Sequence, residues 1–131
     1  MSGVILLTET MFEGTTGYYT FDLVDEADQG LDAAFLDSLT LTLSDVDSQQ
    51  VINTRLNQDV LNVNNGTVTT DPGPPLVTTM TFEIQPADTV ILNPNRWAEY
   101  RLLHFRWSWD SGRRVGAHVV QFGVENLSHV S

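Results

Sequence analysis

The residues through which this chain could do chemistry are three histidines, seventeen carboxylates, three tryptophans and six arginines. Nucleophilic catalysis needs a nucleophile beside a base that a third group orients. The chain has no cysteine, and none of its serines sits in a Gly-x-Ser-x-Gly turn. His104 and His118 fall on two stretches that pair near the middle of a hairpin, which brings them close in space. They read as packed or solvent-facing strand residues rather than as a catalytic or metal pair. His129 stands apart near the C-terminus.

Glycoside hydrolysis would need two carboxyls opposed across a cleft. Here the acids gather in turns, as in Asp25-Glu26-Ala27-Asp28 and Asp45-Val46-Asp47, where short acidic side chains close the turn and keep it soluble. The same clusters are hard-oxygen donors that could hold calcium, but neither has EF-hand spacing. No catalytic residue, metal or other cofactor is expected, and no small-molecule substrate.

Trp107 and Trp109 lie two apart, hence on one face of a strand. Exposed, they would make a sugar-stacking platform and a carbohydrate-binding module for host attachment, which is the alternative reading. On a core face they are anchors, and this is the preferred reading. Trp97, beside Arg96 and ahead of the strand, is the better contact residue.

Charge narrows the partners. The net charge is −11, lysine is absent, and five of the six arginines (Arg96, Arg101, Arg106, Arg113 and Arg114) lie in or beside the last hairpin. The first fifty residues hold ten carboxylates and no Lys or Arg. Such a surface repels a polyanion, so nucleic acid is not an expected partner. These five arginines and Trp97 form the candidate protein-contact set. Arg106 is expected to lie across an aromatic ring while its guanidinium reaches a carboxylate.

The elements that must carry these residues repeat with a period of two. Tyr19, Phe21 and Leu23 alternate with polar neighbours, as do Leu39, Leu41 and Leu43, and Met80, Phe82 and Ile84. In the last third, Leu103, Phe105, Trp107 and Trp109 share one face and Leu102, His104, Arg106 and Ser108 the other. Val120, Phe122 and Val124 answer them on the return arm after the turn Asp110-Ser111-Gly112-Arg113. Helix is confined to two single turns, one capped by Asp32 and one opened by Pro86. Asn64-Asn65-Gly66 marks a tight turn, and Asp71-Pro72-Gly73-Pro74-Pro75 a stiff loop. Residues 53–64 read as an irregular loop or two short edge strands. The pattern predicts one all-β, Ig-like antiparallel sandwich of about seven to nine short strands over residues 14–131. An N-terminal strand or arm over residues 1–13 precedes it. The first residues lack the basic and apolar runs of a signal peptide, and no stretch approaches the ~20 apolar residues of a membrane span.

From Leu39 onward the order of features resembles the Ig-like domains of tailed-phage structural proteins, including the N-terminal domain of baseplate upper proteins. The likeness is carried by Leu39-Thr40-Leu41-Thr42-Leu43, Asn65-Gly66-Thr67-Val68 and Thr81-Phe82-Glu83-Ile84-Gln85-Pro86-Ala87-Asp88-Thr89. It continues through Phe105-Arg106-Trp107-Ser108-Trp109-Asp110-Ser111-Gly112-Arg113-Arg114 and the closing Val124-Glu125-Asn126-Leu127. The chain departs from that pattern in being a single domain and in its extra N-terminal segment. The resemblance implies a non-enzymatic virion protein, made in the host cytoplasm and placed at the capsid surface, neck or tail. Its implied partners are other virion proteins and copies of itself.

Overall fold

The computed structural model describes residues 5–127, with the side chains of residues 5–9 outside that description. Eight strands run through the described residues: β1 (Ile5–Phe12), β2 (Gly17–Asp22), β3 (Leu36–Asp45), β4 (Gln58–Asp59), β5 (Gly66–Asp71), β6 (Val77–Ile84), β7 (Ala98–Trp109) and β8 (Arg114–Glu125). They form a five-stranded sheet in the order β1-β8-β7-β3-β4 and a three-stranded sheet in the order β2-β6-β5. This is the all-β, Ig-like sandwich that the period of two calls for. The pairings are antiparallel except one, because β1 runs parallel to β8. Residues 5–12 of the N-terminal segment are thus built into the large sheet as its edge.

Alternation places the core. Leu39, Leu41 and Leu43 of β3, Leu103 and Phe105 of β7, and Val120 and Val124 of β8 are completely buried. They face Met80 and Phe82 of β6 and Phe21 of β2 across the sandwich. Each such side chain contributes roughly 1.5–3 kcal/mol by leaving water. Their polar neighbours along each strand point outward, which leaves the small sheet with a threonine-rich outer face (Thr20, Thr67, Thr69, Thr79 and Thr81).

The two predicted single turns are present as 3-10 helices, Ala33–Phe35 and Pro86–Thr89. Asp32 caps the first by accepting from the Ala34 N–H, and Asp88 closes the second by accepting from the Gln85 N–H at 2.7 Å. Asn64 and Asn65 both take positive φ, so the turn before β5 has the mirror-image geometry that asparagine tolerates. Residues 53–64 hold only the two-residue β4 and an irregular path with positive φ at Asn53, Thr54, Asn57 and Asn62. Among the described residues no helix is long and apolar enough to cross a membrane.

Candidate functional site

Buried polar chemistry collects at three places, and each is explained by the fold. Arg101 points inward from β7, in phase with Leu103 and Phe105, and is fully buried. Its Nη1 donates to Asp45 Oδ1 on β3 at 2.5 Å; its Nη2 donates to Glu99 Oε1 at 2.7 Å and to the Val90 carbonyl at 2.6 Å. Its Nε is the buried side-chain nitrogen that finds no acceptor among the described residues. Burial pushes the Asp45 carboxyl up, but hydrogen bonds from the Ser48 N–H and hydroxyl, with the Arg101 charge, outweigh it and hold Asp45 below the usual range. Glu99 follows the same balance: burial raises it, while the Leu92 N–H, Arg101 and the Asn93 N–H bring it lower. Arg101 therefore leaves the contact set. It is a core cation whose parity along β7 dictates an inward side chain.

The second place is Arg55, which grips Asp88 with two nitrogens, Nε to Oδ1 at 2.6 Å and Nη2 to Oδ2 at 3.1 Å. It also donates to Gln58 Oε1, Asn64 O and Asn65 Oδ1, with its guanidinium carbon 4.9 Å above the Phe82 ring. The third place holds His118, stacked on Phe21 at 4.2 Å and 7°, with its Nε2 2.6 Å from Tyr19 Oη. Burial lowers the His118 pKa and raises that of Tyr19, which favours the neutral forms of both.

This register separates the two histidines expected to be neighbours. His104 pairs with Val119 and His118 with Phe105, so their side chains leave opposite faces of the sheet. His104 is exposed, and His129 lies outside the described residues. Among the described residues no three His, Asp or Glu side chains converge on a point that could hold a metal ion. The acidic turns close on themselves instead: Asp25 Oδ1 accepts from the Ala27 and Gln29 N–H groups.

Trp107 and Trp109 are core residues, 4% and 7% exposed. The Trp107 Nε1–H reaches the Val24 carbonyl at 3.2 Å. A sugar-stacking platform of these two indoles is therefore not on the surface. Trp97 is, at 73% exposure.

The remaining arginines are exposed but mostly committed. Arg96 pairs with Asp47, Arg113 with Asp110, and Arg114 with Glu26 and Asp110. Arg106 lies on the outer face of the large sheet, and among the described residues its guanidinium meets neither a ring nor a carboxylate. The expected ring-and-carboxylate contact is not made, because Arg106 emerges on the face away from the core aromatics.

One end of the sandwich gathers exposed apolar side chains. Trp97 and Leu92 come from the loop between the second 3-10 turn and β7, Phe12 from the end of β1, and Leu127 follows β8. Phe12, Glu125 and Ala98 form one row across β1, β8 and β7, and Tyr100 stands two rows along, opposite Gly123. The loop carrying Trp97 is tied down from below. Glu99 accepts from the Leu92 and Asn93 N–H groups, both at 2.8 Å. Asn126, itself buried, donates its side-chain amide to the Pro94 and Arg96 carbonyls, and its backbone N–H to the Trp97 carbonyl. Glu99 and Asn126 are the site residues that sequence reading missed. Glu99 carried a signal, since it shares the inward phase of Leu103; Asn126 carried none.

No protein-family model matches this chain, and no curated protein or solved structure matches it.

Proposed function

We propose that this chain is a non-enzymatic structural protein of a tailed-phage virion, acting by protein–protein contact at the capsid surface, neck or tail. The carrying observation is the end surface around Trp97. A large aromatic is held out at 73% exposure on a loop that buried Glu99, Arg101 and Asn126 fix in place. Exposing an indole is costly in water, and fixing its loop beforehand reduces the entropy lost when a partner covers it. The buried ionisable groups Arg55, Asp88, Glu99 and Arg101 hold loops in place.

Mass spectrometry of gradient-purified particles tests the reading, together with incorporation of a Trp97→Ala, Tyr100→Ala variant. The expected result is stoichiometric presence of the natural chain and severalfold lower incorporation of the variant at unchanged stability. Absence of the natural chain from particles, or full incorporation of the variant, overturns it.

A further inference from the structure

Five of the six arginines hold a carboxylate within the chain: Arg55, Arg96, Arg101, Arg113 and Arg114. Arg106 holds none among the described residues, although the chain carries seventeen acids. Its position gives the reason. In β7 the odd-numbered side chains enter the core from Glu99 to Trp109, and the even-numbered ones leave the sandwich. Arg106 therefore stands exposed on the outer face of the large sheet, in a row with Thr40 of β3 and Ala117 of β8. The next outward-facing row is Thr42, His104 and Val119. No carboxylate stands in either row across β3, β7 and β8. Asp59, at the β4 margin opposite Thr40, turns its carboxylate to the Leu61 N–H at 3.0 Å.

The outer face of the small sheet has the opposite character. Its middle row is Thr20, Thr81 and Thr67, with Glu83 on one side of that row and Asp22 on the other. No cation stands in outward phase on β2, β5 or β6. Tyr18, 70% exposed, donates its hydroxyl to Glu83 at 3.1 Å and so lies across the β2–β6 pair.

These two faces look away from each other on opposite sides of one sandwich. Pairing like with like is unfavourable: two large-sheet faces would bring arginine toward arginine, and two small-sheet faces carboxylate toward carboxylate. Large face on small face gives Arg106 the carboxylate that its own sheet lacks, as a charge-assisted hydrogen bond. The net charge of −11 opposes any contact between copies at a distance. At physiological salt that repulsion is screened beyond ~8 Å, so the groups that face each other decide the contact.

We infer that copies of this chain stack sandwich on sandwich, the Arg106 face of one copy seated on the small-sheet face of the next, with Arg106 against Asp22 and Glu83. Such a contact is heterologous, so it repeats from copy to copy and closes into a ring where the rotation between copies allows. Three strands about 4.8 Å apart and six residues long make the smaller face roughly 15 by 20 Å, well under the ~800 Å² per partner of a stable pair. A single junction is therefore weak, and repetition within an assembly holds it. This rests on the protein-contact reading and names a second copy as the partner, at the sheet faces rather than at the Trp97 end.

The chain has no cysteine, so introduced thiols report the junction alone. Ala117→Cys marks the large face and Thr67→Cys the small one, both at exposed strand positions. Equal amounts of the two single variants, one carrying a size tag, are linked with a short bismaleimide, and the same mixture unfolded in urea gives the chance distribution. The expected result is that mixed pairs exceed like pairs severalfold over that distribution. Arg106→Glu in the Ala117→Cys chain, or Asp22→Asn with Glu83→Gln in the Thr67→Cys chain, returns the pairs to chance. Mixed pairs at the chance share, or an excess that Arg106→Glu leaves intact, overturns the inference. An excess of Ala117→Cys like pairs overturns it too, and assigns the large face to a two-fold contact. Particles that still incorporate the chain after such a result leave the protein-contact reading standing. Stacking by a chain absent from particles does the reverse.

Discussion

Arg101 and Asp45, fifty-six positions apart, meet inside the sandwich as a 2.5 Å charged hydrogen bond between β7 and β3. The pair sits directly below the loop that presents Trp97, since Arg101 also holds the Val90 carbonyl and Glu99 holds the next turn. A loss of partner binding on replacing Arg101 would thus report a collapsed loop, not a lost contact.

Stability separates these two roles. Arg101→Met leaves Asp45 and Glu99 as buried carboxylates without their cation, a change expected to cost about 3–5 kcal/mol. Trp97→Ala removes an exposed side chain and should stay within about 0.5 kcal/mol of the natural protein. Urea unfolding followed by far-ultraviolet dichroism gives both numbers. A loss below about 1 kcal/mol for Arg101→Met would show that the cluster does not hold the fold together.

Much of this architecture was legible because period two is a strong signal. Leu39, Leu41 and Leu43, then Met80, Phe82 and Ile84, then Phe105, Trp107 and Trp109, announce their faces without help. The same rule, carried four residues further back along β7, puts Arg101 inside; its charge is what argues for the surface. Residues 53–64 were opaque for a different reason. Their path is set by Arg55 reaching Asp88, Gln58, Asn64 and Asn65, and a side-chain network of that kind leaves no period in the sequence. The Trp97 surface was half legible, since the exposed indole could be named but not the Asn126 amide that fixes its loop.

Acid should weaken the protein in two separable steps. The first belongs to His118, whose pKa burial lowers. Above the unfolded value of about 6.5 both states are neutral and the contribution is complete. As pH falls below it, the unfolded chain binds a proton that the folded one refuses, and stability declines toward the lowered folded pKa. Unfolding free energy measured from pH 7.5 to 5 should fall for the natural chain and stay flatter for His118→Phe. Equal slopes would mean that His118 protonates freely in the folded state.

The second step belongs to Asp45 and Glu99, both held below their ordinary values in the folded chain. Their contribution is complete above the unfolded pKa values of about 3.9 and 4.3, and is lost as pH falls through the lower folded values. Acid titration of unfolding free energy between pH 5 and 2 should show a decline that Asp45→Asn makes shallower. An Asp45→Asn chain with an undiminished decline would place the acid sensitivity elsewhere among the carboxylates.

Gly116 is a position where one added methyl group should be felt. A Cβ there would stand 2.5–2.6 Å from three atoms of the Trp107 indole, closer than any real contact allows. Trp107 cannot yield cheaply, because its ring packs 5.8 Å from Phe21 and its N–H is tied to the Val24 carbonyl. Gly116→Ala must then shift either the indole or the β8 backbone, at a cost typical of overpacking, about 1–3 kcal/mol. Shifting the indole breaks the Val24 hydrogen bond and loosens the Asp25 turn that follows Val24. Tryptophan emission in a Trp97→Phe background, which leaves the indoles of Trp107 and Trp109, should move to longer wavelength on Gly116→Ala as Trp107 meets water. A variant with natural stability and unchanged emission would mean that β8 gives way there at no cost, and that the core around Trp107 is softer than its packing implies.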